Sequence, residues 1–145
     1  MFKYYNNNPK GKHTCDCAIR AAALCLNKPY EDVLQELVNT SLETGYHIAD
    51  PVCFSIYMTR NGYKHISLTS RDIKCSYLCN TIQSFYNSGI VGTALPYLTK
   101  LSAQRVIVCY GINHVAAIID GVLHDTVDGT DRIISGYYIP TKFVI

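Results

Sequence analysis

The run CDCAIRAAALCL, residues 15–26, most constrains the fold because it is apolar on nearly every side. After Asp16 it carries one charged residue, Arg20, which we interpret as either a buried ion-pair partner or a surface residue. A helix that is apolar all round is typical of the centre of a domain, where neighbouring elements cover every face. The run therefore predicts a buried helix, which Thr14 or Asp16 would cap and residues 27–29 would end.

Two further helices and a strand are predicted in the first half of the chain. YEDVLQELVNT, residues 30–40, has its apolar side chains on one face and follows a proline suited to a helix start. In ADPVCFSIYMTRNG, Asp50 is a good cap, Pro51 fits the first turn and Asn61 and Gly62 form a stop signal. YKHISL then indicates a short strand.

The second half changes to a β pattern. RVIVCY, HVAAII, VLHDTVDG and RIISGYYIP are predicted as antiparallel strands separated by the turns GIN and DG. Between the two halves, NTIQSFYNSG indicates a short helix ending at Gly89, and IVGTALPYLTKLS has mixed signals. With no repeat or linker, the sequence predicts a single domain over residues 1–145, an α+β fold with N-terminal helices packed on a C-terminal antiparallel sheet.

Composition excludes several classes of protein. The 145 residues are 48% hydrophobic, enough for a core without metals or disulfides. A net charge of +2 without a basic block argues against a nucleic-acid partner. The segment MFKYYNNNPKGKH has no apolar signal region, and no apolar stretch approaches the roughly 18 residues of a membrane span, so we expect no membrane association and a cytoplasmic location.

The seven cysteines have irregular spacing, which in a reducing compartment argues against a disulfide framework. We interpret Cys25, Cys53 and Cys109 as core residues, since free cysteine packs as a small hydrophobe. A zinc site formed by the 15/17 and 75/79 pairs is a weaker alternative, because the first spacing is too short and the second pair fits an apolar helix face. We therefore predict neither metal nor cofactor.

One of these cysteines, Cys17, is a candidate nucleophile. A thiol at a helix N-terminus beside an imidazole is held as the reactive thiolate. Of the five histidines, only His114 opens an apolar strand directly after a turn. His114 is therefore the best-placed partner for Cys17.

The predicted hairpin supplies a third residue. If Asp120 and Gly121 form a two-residue turn, Ala116 lies opposite Asp125, on the face of His114. Asp125 would then be one diagonal step from His114, roughly 7 Å between backbones, and could orient the imidazole. The same alternation turns His124 and Asp128 to the opposite face.

The segments NPKGKHTCDCAIRA and NHVAAIIDGVLHDTVD together resemble the papain-like cysteine peptidase superfamily, and most closely a group of small papain-like proteins of bacteriophages and Gram-positive bacteria. That group reads Asn-Pro, Gly-Asp-Cys-x-x-Arg-Ala, and later a His-strand-Asp-Gly-strand-Asp-Thr hairpin. The resemblance implies a papain-like fold with Cys17 as nucleophile, His114 as base and Asp125 as orienting residue. Cys15 stands where the group usually has glycine, and would either pack or form a reversible redox bond with Cys17.

The resemblance also implies an oxyanion donor upstream of the nucleophile, often a glutamine six residues earlier. Gly11 occupies that position here, so Asn8 and His13 are the candidate substitutes.

Two functions stay open from the sequence. The first is a cysteine-dependent hydrolase of the peptidase, isopeptidase or amidase type, acting on a protein or peptide through an acyl-thioester. Deamidation or acyl transfer would use the same groups. The second is a catalytically silent papain-fold binding protein, such as a phage accessory factor that captures a host protein or small molecule. Twelve tyrosines would suit such a recognition surface.

Overall fold

The computed structural model describes residues 1–69, 72–79 and 105–142, and in these residues helices and strands form an α+β fold. The helices are α1 (Cys17–Leu26), α2 (Tyr30–Thr44), α3 (Pro51–Arg60) and α4 (Cys75–Cys79). The strands are β1 (Phe2–Tyr4), β2 (Tyr63–Ser67), β3 (Arg105–Tyr110), β4 (His114–Ile119), β5 (Val122–Asp125) and β6 (Gly136–Pro140). The predictions for NTIQSFYNSG and IVGTALPYLTKLS fall outside the described residues.

The first three helices lie where the sequence predicted them, and only α2 has a shifted end. α1 begins at Cys17, directly after Asp16, one of the two predicted cap positions, and ends at Leu26, before Asn27, whose φ of 53° is left-handed. α2 continues past the predicted end to Thr44. α3 has the predicted cap, because the backbone N–H of Val52 donates to Oδ1 of Asp50 at 2.8 Å. None of the helices in the described ranges has the length and apolar character needed to cross a membrane.

Six strands of the described residues form one mixed sheet in the order β1-β5-β4-β3-β6-β2. β1 pairs with β5 in parallel, whereas the other neighbouring strands are antiparallel. The sequence predicted an antiparallel sheet built from the C-terminal half of the chain. It did not predict β1, the parallel strand at the edge of the sheet. Three residues are too few to show the alternation that identifies a strand, and the open edge of β5 supplies the hydrogen bonds that order β1.

Apolar side chains cover both faces of the sheet. On one face α1, α2 and α3 bury residues such as Ala22, Leu37 and Cys53 against Ile107 and Ala117 of the central strands. α1 crosses β4, and its run of alanines suits a helix at the centre of such a layer. On the other face the core includes α4 side chains packed against β3, β4, β5 and β6.

The cysteines predicted to pack in the core are buried. Cys25, Cys53 and Cys109 are each less than a tenth exposed, and Cys75 and Cys79 lie on the buried side of α4. This burial confirms the interpretation of these thiols as small hydrophobes.

The hairpin that joins β4 and β5 has the predicted register. Asp120 and Gly121 have φ values of 49° and 80°, and a turn with two left-handed residues matches the twist of paired strands. The pairing runs without a bulge from Ile119 opposite Val122 to Ala117 opposite His124, and the same count places Ala116 opposite Asp125.

Candidate active site

Cys17 is the first residue of α1, where the positive end of the helix dipole favours an anionic sulfur. Its thiol lies close to the ring of His114 and to the backbone N–H of Val115, and both groups favour negative charge on the sulfur. Burial alone would raise the pKa of the thiol, but these two groups and the charge of Arg20 outweigh burial and lower the pKa of Cys17 below its usual value. The surroundings of Cys17 therefore favour the thiolate.

His114 lies at the start of β4, directly after the turn at residues 111–113. Its Nε2 is 2.7 Å from Oδ2 of Asp125, which leaves Nδ1 as the ring nitrogen for Cys17. Hydrogen bonds with Asp125 and then Cys17 raise the pKa of His114 to about 9 against the effect of burial. At neutral pH the imidazole is thus protonated, and its positive charge favours the thiolate form of Cys17.

Asp125 is the last residue of β5 and is only 2% exposed. While Oδ2 faces His114, Oδ1 accepts from the backbone N–H of Thr126 at 2.7 Å and from Nη1 of Arg20 at 3.2 Å. Burial would raise the pKa of this carboxyl, but the hydrogen bonds and the charge of His114 lower it. The structure thus brings together the three side chains that the sequence analysis selected. Comparisons of the chain with family models, curated proteins and solved structures found no match.

Tyr110 holds the imidazole from one side. It is the last residue of β3 and pairs directly with His114 across the turn. The two rings are stacked, with centroids 5.6 Å apart and planes inclined by 26°. Tyr110 is itself anchored, because its hydroxyl donates to the carbonyl of Gly129 at 3.2 Å and the Arg132 guanidinium lies 4.7 Å above its ring. The aromatic face favours a protonated ring next to it.

Asp16 precedes α1 but does not cap it through its side chain. Oδ1 instead pairs with Nε of Arg20 at 2.9 Å, and Oδ2 accepts from the hydroxyl of Tyr30 at 2.8 Å. The prediction that Asp16 caps the helix with its carboxylate is therefore wrong. A buried guanidinium costs far more free energy without a counter-charge than a helix loses without a side-chain cap, so Arg20 decides where Asp16 points.

The two candidate oxyanion donors are engaged elsewhere. The amide nitrogen of Asn8 donates to Oδ2 of Asp16 at 3.0 Å, and it lies 3.4 Å from the hydroxyl of Tyr30. His13 is exposed, and its Nε2 is 3.4 Å from the hydroxyl of Tyr4. Asn8 thus supports Asp16 in this structure.

The residues that were predicted to point away from the site have other partners. Nδ1 of His124 is 2.8 Å from the carbonyl of Val122, and its ring makes an edge contact with Tyr5. Asp128 is exposed and accepts from the backbone and hydroxyl of Thr130. Cys15 is exposed and forms no disulfide, so the prediction that it packs is wrong. Among the described residues, no group of three or more potential ligand side chains is arranged to hold a metal ion.

The sequence analysis left open whether Arg20 is a buried ion-pair partner or a surface residue, and the structure shows a buried ion pair with Asp16, one helical turn earlier. Three site features were missed: the contact of Arg20 with Asp125, the stacking of Tyr110 on His114, and the N–H of Val115. The position of Tyr110 opposite His114 could have been predicted by pairing β3 with β4 around the GIN turn. The N–H of Val115 had no signal, because only the packing of α1 against β4 brings the sulfur to it.

Proposed function

We propose that the protein is a cysteine-dependent hydrolase of the papain-like type that cleaves peptide, isopeptide or other amide bonds. The observation that carries this proposal is the position of Cys17, at the N-terminus of a buried helix and close to His114, whose Nε2 is 2.7 Å from Oδ2 of Asp125. A thiol with a lowered pKa, paired with an imidazole whose pKa is raised, is the arrangement that nucleophilic catalysis by cysteine requires.

In the first half of the proposed reaction, the thiolate of Cys17 attacks the carbonyl carbon of the substrate and forms a carbon–sulfur bond. The carbonyl electrons move to oxygen and return as the carbon–nitrogen bond breaks. The protonated His114 ring donates its proton to the departing amine. The amine leaves, and the acyl group stays on sulfur as a thioester.

In the second half, the now neutral ring of His114 accepts a proton from a water molecule as the water oxygen attacks the thioester carbon. The carbon–sulfur bond breaks, the acid is released, and the thiolate and protonated ring are restored. Asp125 keeps the ring oriented through both halves and stabilises its positive charge.

The backbone at the start of α1 is our proposed oxyanion donor. The first N–H groups of a helix have no acceptor within the helix, and a capping side chain normally satisfies one of them. Because the Asp16 carboxylate is turned to Arg20, it makes no such bond. The N–H of Cys17 is the first of these groups, and we propose that it donates to the negative oxygen that develops next to the sulfur.

A chromogenic ester tests the chemistry before a natural substrate is known. We expect p-nitrophenyl acetate to release a burst of about one equivalent of nitrophenolate, followed by slower turnover as the thioester hydrolyses. Mass spectrometry should place the transient acetyl group on Cys17. Cys17→Ala should abolish both phases, and His114→Ala should slow both.

A binding protein without catalysis gives a different result. Its thiol could accept the acetyl group but would not release it, so the burst would occur without turnover. That outcome would overturn the hydrolase proposal and favour the silent papain-fold alternative. If turnover occurs, digestion of a peptide mixture and of isopeptide-linked conjugates then separates peptidase, isopeptidase and amidase activity.

A further inference from the structure

Arg20 connects two buried carboxylates behind the candidate active site. Its Nε pairs with Oδ1 of Asp16 at 2.9 Å, and its Nη1 pairs with Oδ1 of Asp125 at 3.2 Å. The side chain of Arg20 is only 10% exposed, that of Asp16 5% and that of Asp125 2%. One planar guanidinium therefore links the start of α1 to the end of β5. In the chain, Asp16 is 4 residues from Arg20 and Asp125 is 105 residues from it.

Each buried carboxylate in this cluster faces a positive group. Asp16 is paired with Arg20, and Asp125 is paired with both Arg20 and the protonated ring of His114. Removing charges from water is costly unless each is paired and hydrogen-bonded. The cluster is consistent with this rule and is continuous with the proposed catalytic groups.

We propose that Arg20 is a positioning residue: it holds Oδ1 of Asp125 so that Oδ2 faces Nε2 of His114. This inference rests on the proposed function. Rotation of the Asp125 carboxylate would break its alignment with the imidazole, and the guanidinium, together with the N–H of Thr126, opposes that rotation.

Asp16 fixes Arg20 in turn. Its second oxygen is held by the hydroxyl of Tyr30 and the amide of Asn8, so the carboxylate that orients the guanidinium has its own supports. Burial would raise the pKa of Asp16, but these hydrogen bonds and that of Arg20 lower it, which keeps the pair ionised. The diversion of Asp16 from its capping role thus has a function at the active site.

The test uses Arg20→Lys, which keeps the positive charge but replaces two separate nitrogens on a rigid plane with one ammonium. The measurement is the rate of Cys17 alkylation by iodoacetamide as a function of pH, which needs no substrate. We expect labelling at about pH 6 to slow roughly fivefold and the pH profile to move to higher pH. A residue with only a structural role would lower the melting temperature and leave the pH profile of the folded protein in place.

Repeating the test in an Asp125→Asn protein separates the positioning of Asp125 by Arg20 from a direct effect of Arg20 on the Cys17 thiol. If Arg20 acts through Asp125, Arg20→Lys, which keeps the positive charge near Cys17, should change the labelling rate less than about twofold in an Asp125→Asn protein. An equal loss in both backgrounds would mean that Arg20 acts on Cys17 directly and would overturn the inference. So would an unchanged profile for Arg20→Lys in the otherwise unmodified protein.

Three comparisons complete the experiment. Arg105→Gln is the matched control, because Arg105 donates to the carbonyl of Leu24 at the far end of α1, and it should leave the profile unchanged.

If Arg20→Lys does not fold, Asp16→Asn takes its place, with a smaller expected loss of about two- to threefold. An unchanged profile there would overturn the inference. If neither Arg20→Lys nor His114→Ala changes the labelling, the proposed function itself fails. If His114→Ala slows labelling and Arg20→Lys does not, only the proposed role of Arg20 fails.

Discussion

Nε2 of His114 lies 2.7 Å from Oδ2 of Asp125, and the contact joins the first residue of β4 to the last residue of β5. A tight two-residue turn sets the register of these strands, so the distance depends mainly on the hairpin. The neighbouring Asp128 lies beyond β5 and is bonded to Thr130. The hairpin therefore offers an acidic residue inside the site and another outside it.

Asp125→Asn should slow alkylation of Cys17 at neutral pH roughly tenfold, because an amide can still hold the ring but does not stabilise its charge. Asp125→Ala should slow it more, since the imidazole then rotates freely. Asp128→Asn is the control and should change the rate less than about twofold. Equal effects at the two positions would mean that Asp125 does not orient His114.

Cys17 should react with iodoacetamide about ten times faster than Cys15 at about pH 6, although Cys15 is the more exposed of the two. The reason is the thiolate that His114 and the Val115 N–H stabilise at Cys17. Peptide mapping after limited labelling measures both rates in one sample. His114→Ala should remove most of the preference, and faster labelling of Cys15 would contradict the lowered pKa of Cys17.

Tyr110→Leu should slow Cys17 alkylation by about two- to tenfold, since the loss of an aromatic contact worth roughly 0.5–1.5 kcal/mol loosens the ring of His114. Tyr110→Phe keeps the stacked ring and loses only the hydroxyl bond to Gly129. We expect this variant to label at nearly the normal rate while losing about 1 kcal/mol of unfolding free energy. Identical rates for the two variants would show that stacking does not position His114.

The dependence of stability on pH should change in Cys17→Ala. In this variant Asp125 still raises the pKa of His114 above its unfolded value near 6.5, so the folded state binds more protons than the unfolded state. Its unfolding free energy should therefore be highest below about pH 6.5 and fall as pH rises through the folded pKa of His114.

The unmodified protein should show a flatter curve over the same pH range. Compared with the unfolded state, its folded state binds protons more tightly on His114, whose pKa is raised, and less tightly on Cys17, whose pKa is lowered. The two shifts have opposite effects on stability as pH rises and partly cancel. Chemical denaturation across this range measures both curves, and parallel curves would contradict the thiolate–imidazolium pair.

Much of the candidate site followed from local sequence signals. The apolar run and the candidate cap position Asp16 placed Cys17 at the start of a helix, where the structure has it. Asp120 and Gly121 form the predicted turn, and strand alternation then places Asp125 near His114. These signals work because turn geometry, capping and alternation depend on residues that are adjacent or nearly adjacent in the chain.

The sequence by itself thus determined the α+β class, the first three helices, the hairpin register and the three residues of the candidate site. Only the tertiary structure decided that Arg20 reaches Asp125, that Asp16 turns away from the helix end, and that β1 joins the sheet beside β5. Each of these depends on how α1 and the N-terminal strand pack against β4 and β5, from which they are separated by about a hundred residues of chain. Local propensity carries no information on such contacts, because burial and charge pairing are free energies of the assembled core.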